Sequence, residues 1–163
     1  MERIVGRLFS PAIRALALSV AAVSLCSWIG ATATQPALEA WYPALAKPWF
    51  TPPNWAFPVA WTLLFATMAY AAWLVWREGG AAARPALTLY GGHLALNALW
   101  SVAFFGAQSP LAGLIVLIPF LASIGATIRA FRPHSARAAT LLVPYFVWVA
   151  FAGVLNATIW WLN

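Results

Sequence analysis

Apolar residues run along this chain in five long blocks, and the short segments between them carry most prolines and charges. A helix that crosses a bilayer needs about 20 mostly apolar residues, because the hydrocarbon core is roughly 30 Å thick and each residue rises about 1.5 Å. The pattern therefore predicts an all-α membrane protein, a bundle of five transmembrane helices that forms a single domain over residues 1–163. The five predicted spans are residues 13–33, 55–76, 86–105, 111–130 and 138–161.

The composition agrees with a membrane protein. Of the 163 residues, 64% are hydrophobic and only 7% are charged, whereas soluble domains carry about 25% charged residues. A water-soluble globule is excluded, because so few charges cannot cover its surface. The single cysteine, Cys26, excludes an internal disulfide and any metal cluster built from cysteines.

The first apolar block has a second interpretation. Arg3, Arg7 and Arg14 precede it and Ala31-Thr32-Ala33 ends it, which is the layout of a cleavable signal peptide. However, the block is longer than the roughly 7–15 apolar residues of a signal peptide, and further spans follow it. A first transmembrane helix is therefore the favoured interpretation.

The basic residues predict an orientation. With five spans, the N-terminus and the second and fourth loops lie on one side, and only Lys47 lies on the other. Lys and Arg are retained in short cytoplasmic loops, so we expect a bacterial cytoplasmic membrane with a cytoplasmic N-terminus. The first side holds eight of the nine basic residues: Arg3, Arg7, Arg14, Arg77, Arg84, Arg129, Arg132 and Arg137.

The same distribution argues against nucleic acid as a partner. Although the net charge is +6, the basic residues lie between apolar blocks and are not interleaved with aromatic residues on one face. Membrane lipid is the expected environment, and no nucleic-acid partner is expected.

Few residues are suited to acid–base or metal chemistry. The acidic residues are Glu2, Glu39 and Glu78, all outside the predicted spans, whereas ion-coupled transporters usually need a carboxylate at membrane depth. Neither His93 nor His134 has a carboxylate close in sequence to orient it, and no nucleotide-binding glycine motif or metal-ligand pair is present. The sequence predicts no metal site, no hydrolytic site and no required cofactor.

Tryptophan is abundant, with eleven residues. Trp61 and Trp148 lie about two turns or more inside their spans, where they either line a pocket or pack in the core. The others at span ends are typical of the aromatic belt at the membrane interface; these are Trp55, Trp73, Trp76, Trp160 and Trp161.

Two spans carry polar residues on one face. His93 and Asn97 lie four residues apart on the third span, so they share a face. The fifth span has the same spacing in Pro144, Trp148, Ala152 and Asn156. Asn97 and Asn156 are expected either to hydrogen-bond one helix to another or to be the few polar contacts of an apolar cavity.

Small residues mark another part of the third span. Gly91, Ala95 and Ala98 have a spacing that allows close helix approach. Such close contact is expected either between helices of the bundle or between two chains of a homodimer.

The long first loop, residues 35–54, is rich in aromatic residues and proline. Pro43, Pro48, Pro52 and Pro53 hold φ near −65° and block a regular helix. We expect a stiff, extended segment, either a lid over the bundle or a rigid connector at the membrane surface.

The chain resembles the TspO/MBR family in several motifs from about Trp41 onward. In the loop and second span these are Trp41, Lys47-Pro48-Trp49-Phe50, Pro52-Pro53, Phe57-Pro58 and Trp61. In the third and fifth spans they are Leu94-Ala95-Leu96-Asn97, Trp100, Phe104-Phe105-Gly106, Pro144-Tyr145, Trp148 and Leu155-Asn156.

The resemblance implies a five-helix membrane bundle whose hydrophobic pocket, closed by the first loop, binds porphyrins, sterols and benzodiazepine-type drugs, often in a dimer. Trp61 and Trp148 match the two tryptophans that the family links to porphyrin binding and light-dependent porphyrin breakdown. The candidate ligand-binding residues are Trp49, Trp61, Phe65, His93, Asn97, Trp100, Trp148, Ala152 and Asn156.

Two departures from the family pattern bear on ligands. The fifth span ends without the tyrosine and basic residue of the cholesterol motif in the animal proteins, which argues against strong sterol recognition. His93 stands where glutamine is usual in the family. Its imidazole is expected either to be a hydrogen-bonded structural group or to ligate haem iron.

The leading hypothesis is a membrane protein that binds protoporphyrin IX, haem or similar flat apolar ligands as a sensor, regulator or carrier. Ligand propionates are expected to meet Lys47 or backbone N–H groups of the loop. Two alternatives stay open: a catalyst that degrades porphyrin in light with Trp61 and Trp148 as electron donors, and a facilitative transporter.

Overall fold

A computed structural model describes residues 10–163, so Glu2, Arg3 and Arg7 lie outside the described residues. The described chain is all-helical, as predicted. Its α-helices are α1 Pro11–Glu39, α2 Trp41–Ala44, α3 Ala56–Gly79, α4 Arg84–Ser101, α5 Pro110–Phe131, α6 Ala136–Leu141 and α7 Val143–Leu162.

Two other helical turns flank α4. A 3₁₀ turn, Gly80–Ala83, joins α3 to α4, and a π-helical turn, Val102–Gly106, follows α4. Gly80 has a φ of 54°, a conformation that glycine adopts without steric cost.

Four helical stretches in the described residues are long and apolar enough to cross a membrane. They are Pro11–Glu39, Ala56–Gly106, Pro110–Phe131 and Ala136–Leu162. The second of these stretches contains two long helices, α3 and α4, because the 3₁₀ turn makes the helical segment continuous.

Serine caps begin three of the helices. Ser10 and Ser109 accept hydrogen bonds from the backbone N–H groups of Ile13 and Ala112, and each precedes a proline at the first helical position. Proline fits there because its missing N–H would have no partner within the helix. Ser135 caps α6 in the same way by accepting from the N–H of Ala138.

Contacts between helices give a bundle in which α1 packs on α3 and α4, and α5 packs on α4 and α7. The main core contains fully buried side chains such as Met68, Val75, Ile124, Phe131 and Tyr145. A second apolar cluster is built around Tyr42, Phe104, Leu155 and Ile159. We call the end of the bundle that carries this cluster and residues 40–55 the loop end.

The first helix extends further than predicted, from Pro11 to Glu39, with Pro36 inside it. An internal proline removes one backbone hydrogen bond and strains the helix. Packing compensates, because the next residue, Ala37, is almost completely buried.

The fifth predicted span is divided at Leu142 into α6 and α7. Pro144 cannot donate a backbone hydrogen bond to the preceding turn, but it is tolerated in the first turn of a new helix. Accordingly, α7 begins at Val143, with the proline at its second position.

The first loop is not extended throughout, contrary to the prediction. It begins with a helical turn, Trp41–Ala44, that includes Pro43, which is tolerated in a first turn. The remaining prolines lie in the irregular part that follows. This turn buries Tyr42 against Phe104 and Phe105, with ring centroids 6.5 and 5.6 Å away.

Candidate functional site

A cavity of about 700 Å³ lies at the loop end, within the range of pockets that hold drug-sized ligands. Residues of α1, α3, α4, the π-helical turn and α7 line it, and Tyr42 and Asn54 of the loop complete it. The first loop therefore contributes two residues to the cavity wall.

Aromatic side chains make up much of the cavity wall. Trp61 stacks on Phe65 with ring centroids 5.3 Å apart and meets the edge of Tyr145 at 6.2 Å. Trp148 lies 6.0 Å from Phe57. Because Trp61 and Trp148 both line this cavity, the structure brings the two predicted tryptophans together around one space.

Asn97 and Asn156 join helices and also line the cavity. The Asn97 side-chain amide donates to the Tyr145 hydroxyl at 2.9 Å, which links α4 to α7. Asn156 donates to the carbonyl oxygen of Pro110 at 2.8 Å and accepts from the Trp100 indole N–H at 3.3 Å. Each asparagine therefore links two elements by hydrogen bonds and also lies in the cavity wall.

The π-helical turn shapes the wall beside Asn156. It places Phe104 parallel to Trp100, with centroids 5.4 Å apart, and against α5 at Gly113. A Cβ on Gly113 would lie 2.6 Å from Asn156 Oδ1 and 2.9 Å from a ring carbon of Phe104. Only glycine fits this close contact between helices.

Among the described residues, no charged side chain lines the cavity. Lys47, which was predicted to meet ligand propionates, makes its contacts within the loop. Its Nζ donates to the carbonyl oxygens of Pro43 and Leu45 at 3.2 and 3.0 Å and lies 4.8 Å from the centre of the Tyr42 ring. Burial raises the pKa of Tyr42, so this ring is a neutral phenol at pH 7.

Two of the predicted site residues lie elsewhere. Trp49 is 95% exposed on the loop and stacks edge-on against Phe50. His93 is fully buried in the core, where its Nδ1 lies 3.2 Å from the Thr127 hydroxyl. The Thr127 hydroxyl also lies 2.8 Å from the carbonyl oxygen of Ser123, to which it donates, so a proton on His93 Nδ1 would satisfy both contacts of this hydroxyl.

The other predicted residues line the cavity: Trp61, Phe65, Asn97, Trp100, Trp148, Ala152 and Asn156. Of the small residues on α4, Gly91 and Ala95 are exposed, whereas Ala98 is buried in the core. Only the first two are therefore available on the outer surface of the described chain.

The wall provided by α1 was missed in the sequence. Val23, Ser27, Gly30 and Thr34 line the cavity at intervals of three and four residues, which places them on one helix face. The signal was this run of small and hydroxylated side chains in an apolar helix, which carries no motif of its own. Phe151, one turn before Leu155, was missed as well.

The sequence profile described as the TspO/MBR family matches residues 17–162. A tryptophan-rich protein TspO of Archaeoglobus fulgidus is 38% identical over 148 residues, covering 91% of this chain and 96% of the relative. A translocator protein of Bos taurus is 38% identical over 140 residues, covering 84% and 83%. A tryptophan-rich sensory protein of Cereibacter sphaeroides is 40% identical over 130 residues, covering 78% and 81%.

Proposed function

The chain, a multi-pass integral membrane protein, belongs to the TspO/MBR family, and from this premise we propose that it binds a tetrapyrrole in the cavity under its first loop. A flat macrocycle such as protoporphyrin IX or haem buries a large area against indole and phenyl faces. The observation that carries the proposal is that Trp61 and Trp148 line one cavity. Binding of this kind suits a sensor, regulator or carrier.

The uncharged wall supports a particular pose of the ligand. Carboxylates are costly to bury without a charged or hydrogen-bonding partner, and the cavity wall offers only neutral groups. We therefore place the macrocycle inside and its propionates at the mouth, toward the exposed part of the loop. Lys47, whose Nζ lies 4.8 Å from the ring centre of the lining residue Tyr42, has one of its three N–H donors unused by the loop carbonyls.

We also propose that α1, α3, α4, α5 and α7 are five membrane spans with the loop end outside a bacterial cytoplasmic membrane. Lys47 lies at the loop end, and the arginines of the described residues lie near the opposite ends of these helices. Retention of basic residues in the cytoplasm then sets the orientation. The arginines are Arg14, Arg77, Arg84, Arg129, Arg132 and Arg137. Homodimer formation through α4 stays a prediction.

Cysteine labelling tests the orientation with one matched pair of variants. We expect Trp49→Cys, at an exposed loop position, to react with a membrane-impermeant maleimide in intact cells. Arg132→Cys, exposed at the opposite end, should react only after the membrane is permeabilised. The native Cys26 is buried, so the wild-type protein gives the background level of labelling. The reverse labelling pattern would show that the loop end faces the cytoplasm.

The double variant Trp61→Phe, Trp148→Phe tests the proposed function. Each exchange removes roughly 1 kcal/mol of apolar contact with a bound macrocycle, so the Kd for protoporphyrin IX should rise by roughly thirtyfold. The measurement is the shift of the porphyrin absorption band during a titration in the dark, because this signal does not depend on the number of tryptophans in the protein.

The control is Trp160→Phe, Trp161→Phe, which changes two exposed tryptophans at the end of α7 and should leave the Kd unchanged. An unchanged Kd in a folded Trp61→Phe, Trp148→Phe protein would contradict the proposal. Illumination of the wild-type complex separates the functions: stable spectra support a binding protein, and porphyrin loss faster than in free solution supports the photochemical alternative.

A further inference from the structure

We propose that Asn163 is a positioning residue that fastens the first loop over the cavity and thereby slows ligand release; this inference rests on the proposed function. Asn163 follows α7 at the loop end. Its Oδ1 accepts a hydrogen bond from the backbone N–H of Ala46 at 3.0 Å, and its Nδ2 donates to the carbonyl oxygen of Ala46 at 3.1 Å. One side chain thus holds both backbone groups of one loop residue.

The same amide is also held by its own helix. Nδ2 donates its second hydrogen to the carbonyl oxygen of Ile159 at 2.8 Å. Both amide hydrogens and the amide oxygen of Asn163 therefore have partners. A planar group that donates twice and accepts at the adjacent atom is found only in the asparagine and glutamine side chains, so the fastening depends on this chemistry and not on size alone.

The residues around Ala46 connect this contact to the cavity. Lys47 folds back onto the carbonyl oxygens of Pro43 and Leu45, which keeps residues 42–47 as one compact unit. Tyr42 in this unit lines the cavity, and so does Ile159 on the helix side. Asn163 therefore joins Ala46 of this unit to Ile159 of the cavity wall.

Apolar contacts hold the first loop independently of Asn163. Tyr42 packs on Phe104 and Phe105, and Phe50 meets the edge of Phe151 at 6.4 Å. Loss of the amide should therefore let the loop open more often without unfolding the bundle. The expected effect is a faster release of the bound ligand.

Two variants test the inference. Asn163→Ala removes the three hydrogen bonds. Asn163→Asp keeps an acceptor for the Ala46 N–H but loses both donors and brings a negative charge close to two carbonyl oxygens. We expect protoporphyrin IX to dissociate roughly tenfold faster from both, the effect of losing about 1.4 kcal/mol of hydrogen bonding. The measurement is stopped-flow displacement of porphyrin from protein in nanodiscs.

The matched control is Thr158→Ala on the same helix. The Thr158 hydroxyl bonds only to the carbonyl oxygen of Val154, one turn back, and should leave the dissociation rate unchanged. A second measurement needs no ligand: hydrogen exchange at the Ala46 amide should be faster in Asn163→Ala than in the wild-type protein, while the melting temperature stays within a few degrees.

The outcomes are distinct. If the Ala46 amide exchanges in Asn163→Ala as slowly as in the wild-type protein, Asn163 does not fasten the loop. If the amide exchanges faster but porphyrin dissociates at the wild-type rate, the fastening has no role in ligand retention. If the wild-type protein shows no saturable porphyrin binding, the proposed function fails, and the exchange measurement still decides whether Asn163 fastens the loop.

Discussion

Replacing Gly113 by alanine is expected to lower the free energy of unfolding by about 2–4 kcal/mol, through overpacking and through displacement of buried polar partners. The new Cβ would lie 2.6 Å from Asn156 Oδ1 and 2.9 Å from the Phe104 ring. Both groups are buried and line the cavity, so under the proposed function the variant should also bind porphyrin more weakly. The melting temperature in detergent should fall by roughly 5–15 °C.

Gly125→Ala on the same helix is the control. Its Cβ would meet one ring carbon of Phe146 at 3.9 Å, an ordinary van der Waals contact. Because alanine in a helix interior is more stable than glycine by roughly 0.5–1 kcal/mol, this variant should melt at the same or a slightly higher temperature. Equal melting temperatures for the two variants would show that α5 does not approach Asn156 as closely as described.

Asn156→Ala should have the second largest effect, a loss of roughly 2 kcal/mol of stability together with weaker porphyrin binding. The change leaves the Trp100 indole N–H without its acceptor and removes the donor to the Pro110 carbonyl oxygen. Asn97→Ala is the matched comparison, because Asn97 has one side-chain partner, the Tyr145 hydroxyl, and should cost roughly 1 kcal/mol. Thermal melting ranks the two variants.

A double-mutant cycle connects these two predictions. In the Asn156→Ala background the Cβ of Gly113→Ala no longer meets Asn156 Oδ1, so the combined loss of stability should be smaller than the sum of the two single losses. Contacting residues commonly show coupling of about 0.5–3 kcal/mol. Strict additivity would contradict the close approach of Gly113 and Asn156.

Hydrophobic blocks were sufficient to predict the all-helical fold and to locate the long helices approximately, because lipid requires every spanning backbone to satisfy its own hydrogen bonds. Their ends were less predictable. Pro36 is accommodated inside α1 because Ala37 packs in the core, a tertiary effect that local sequence does not show. At Pro144 the helix is interrupted instead, and α7 begins at Val143 with the proline in its first turn.

The candidate site was predicted where residues repeat at helical spacing. Asn97, Trp148, Ala152 and Asn156 line the cavity because their faces point into the bundle. His93 shares the face of Asn97 but lies one turn deeper, where Thr127 and aromatic rings surround it. Helical spacing predicts which side of the helix a residue lies on, but not how far it lies from the loop end. The sequence therefore could not distinguish a residue of the cavity wall from a residue of the core.

The π-helical turn at Val102–Gly106 has a consequence for the chain's tolerance of insertions and deletions. A π turn holds one residue more than the α-helical turn it replaces. Deleting one residue here would leave an ordinary α-helical turn with one side-chain position fewer, so Phe104 and Phe105 could not both keep their contacts with Trp100. Chain length in this segment should therefore be as strictly constrained as residue identity.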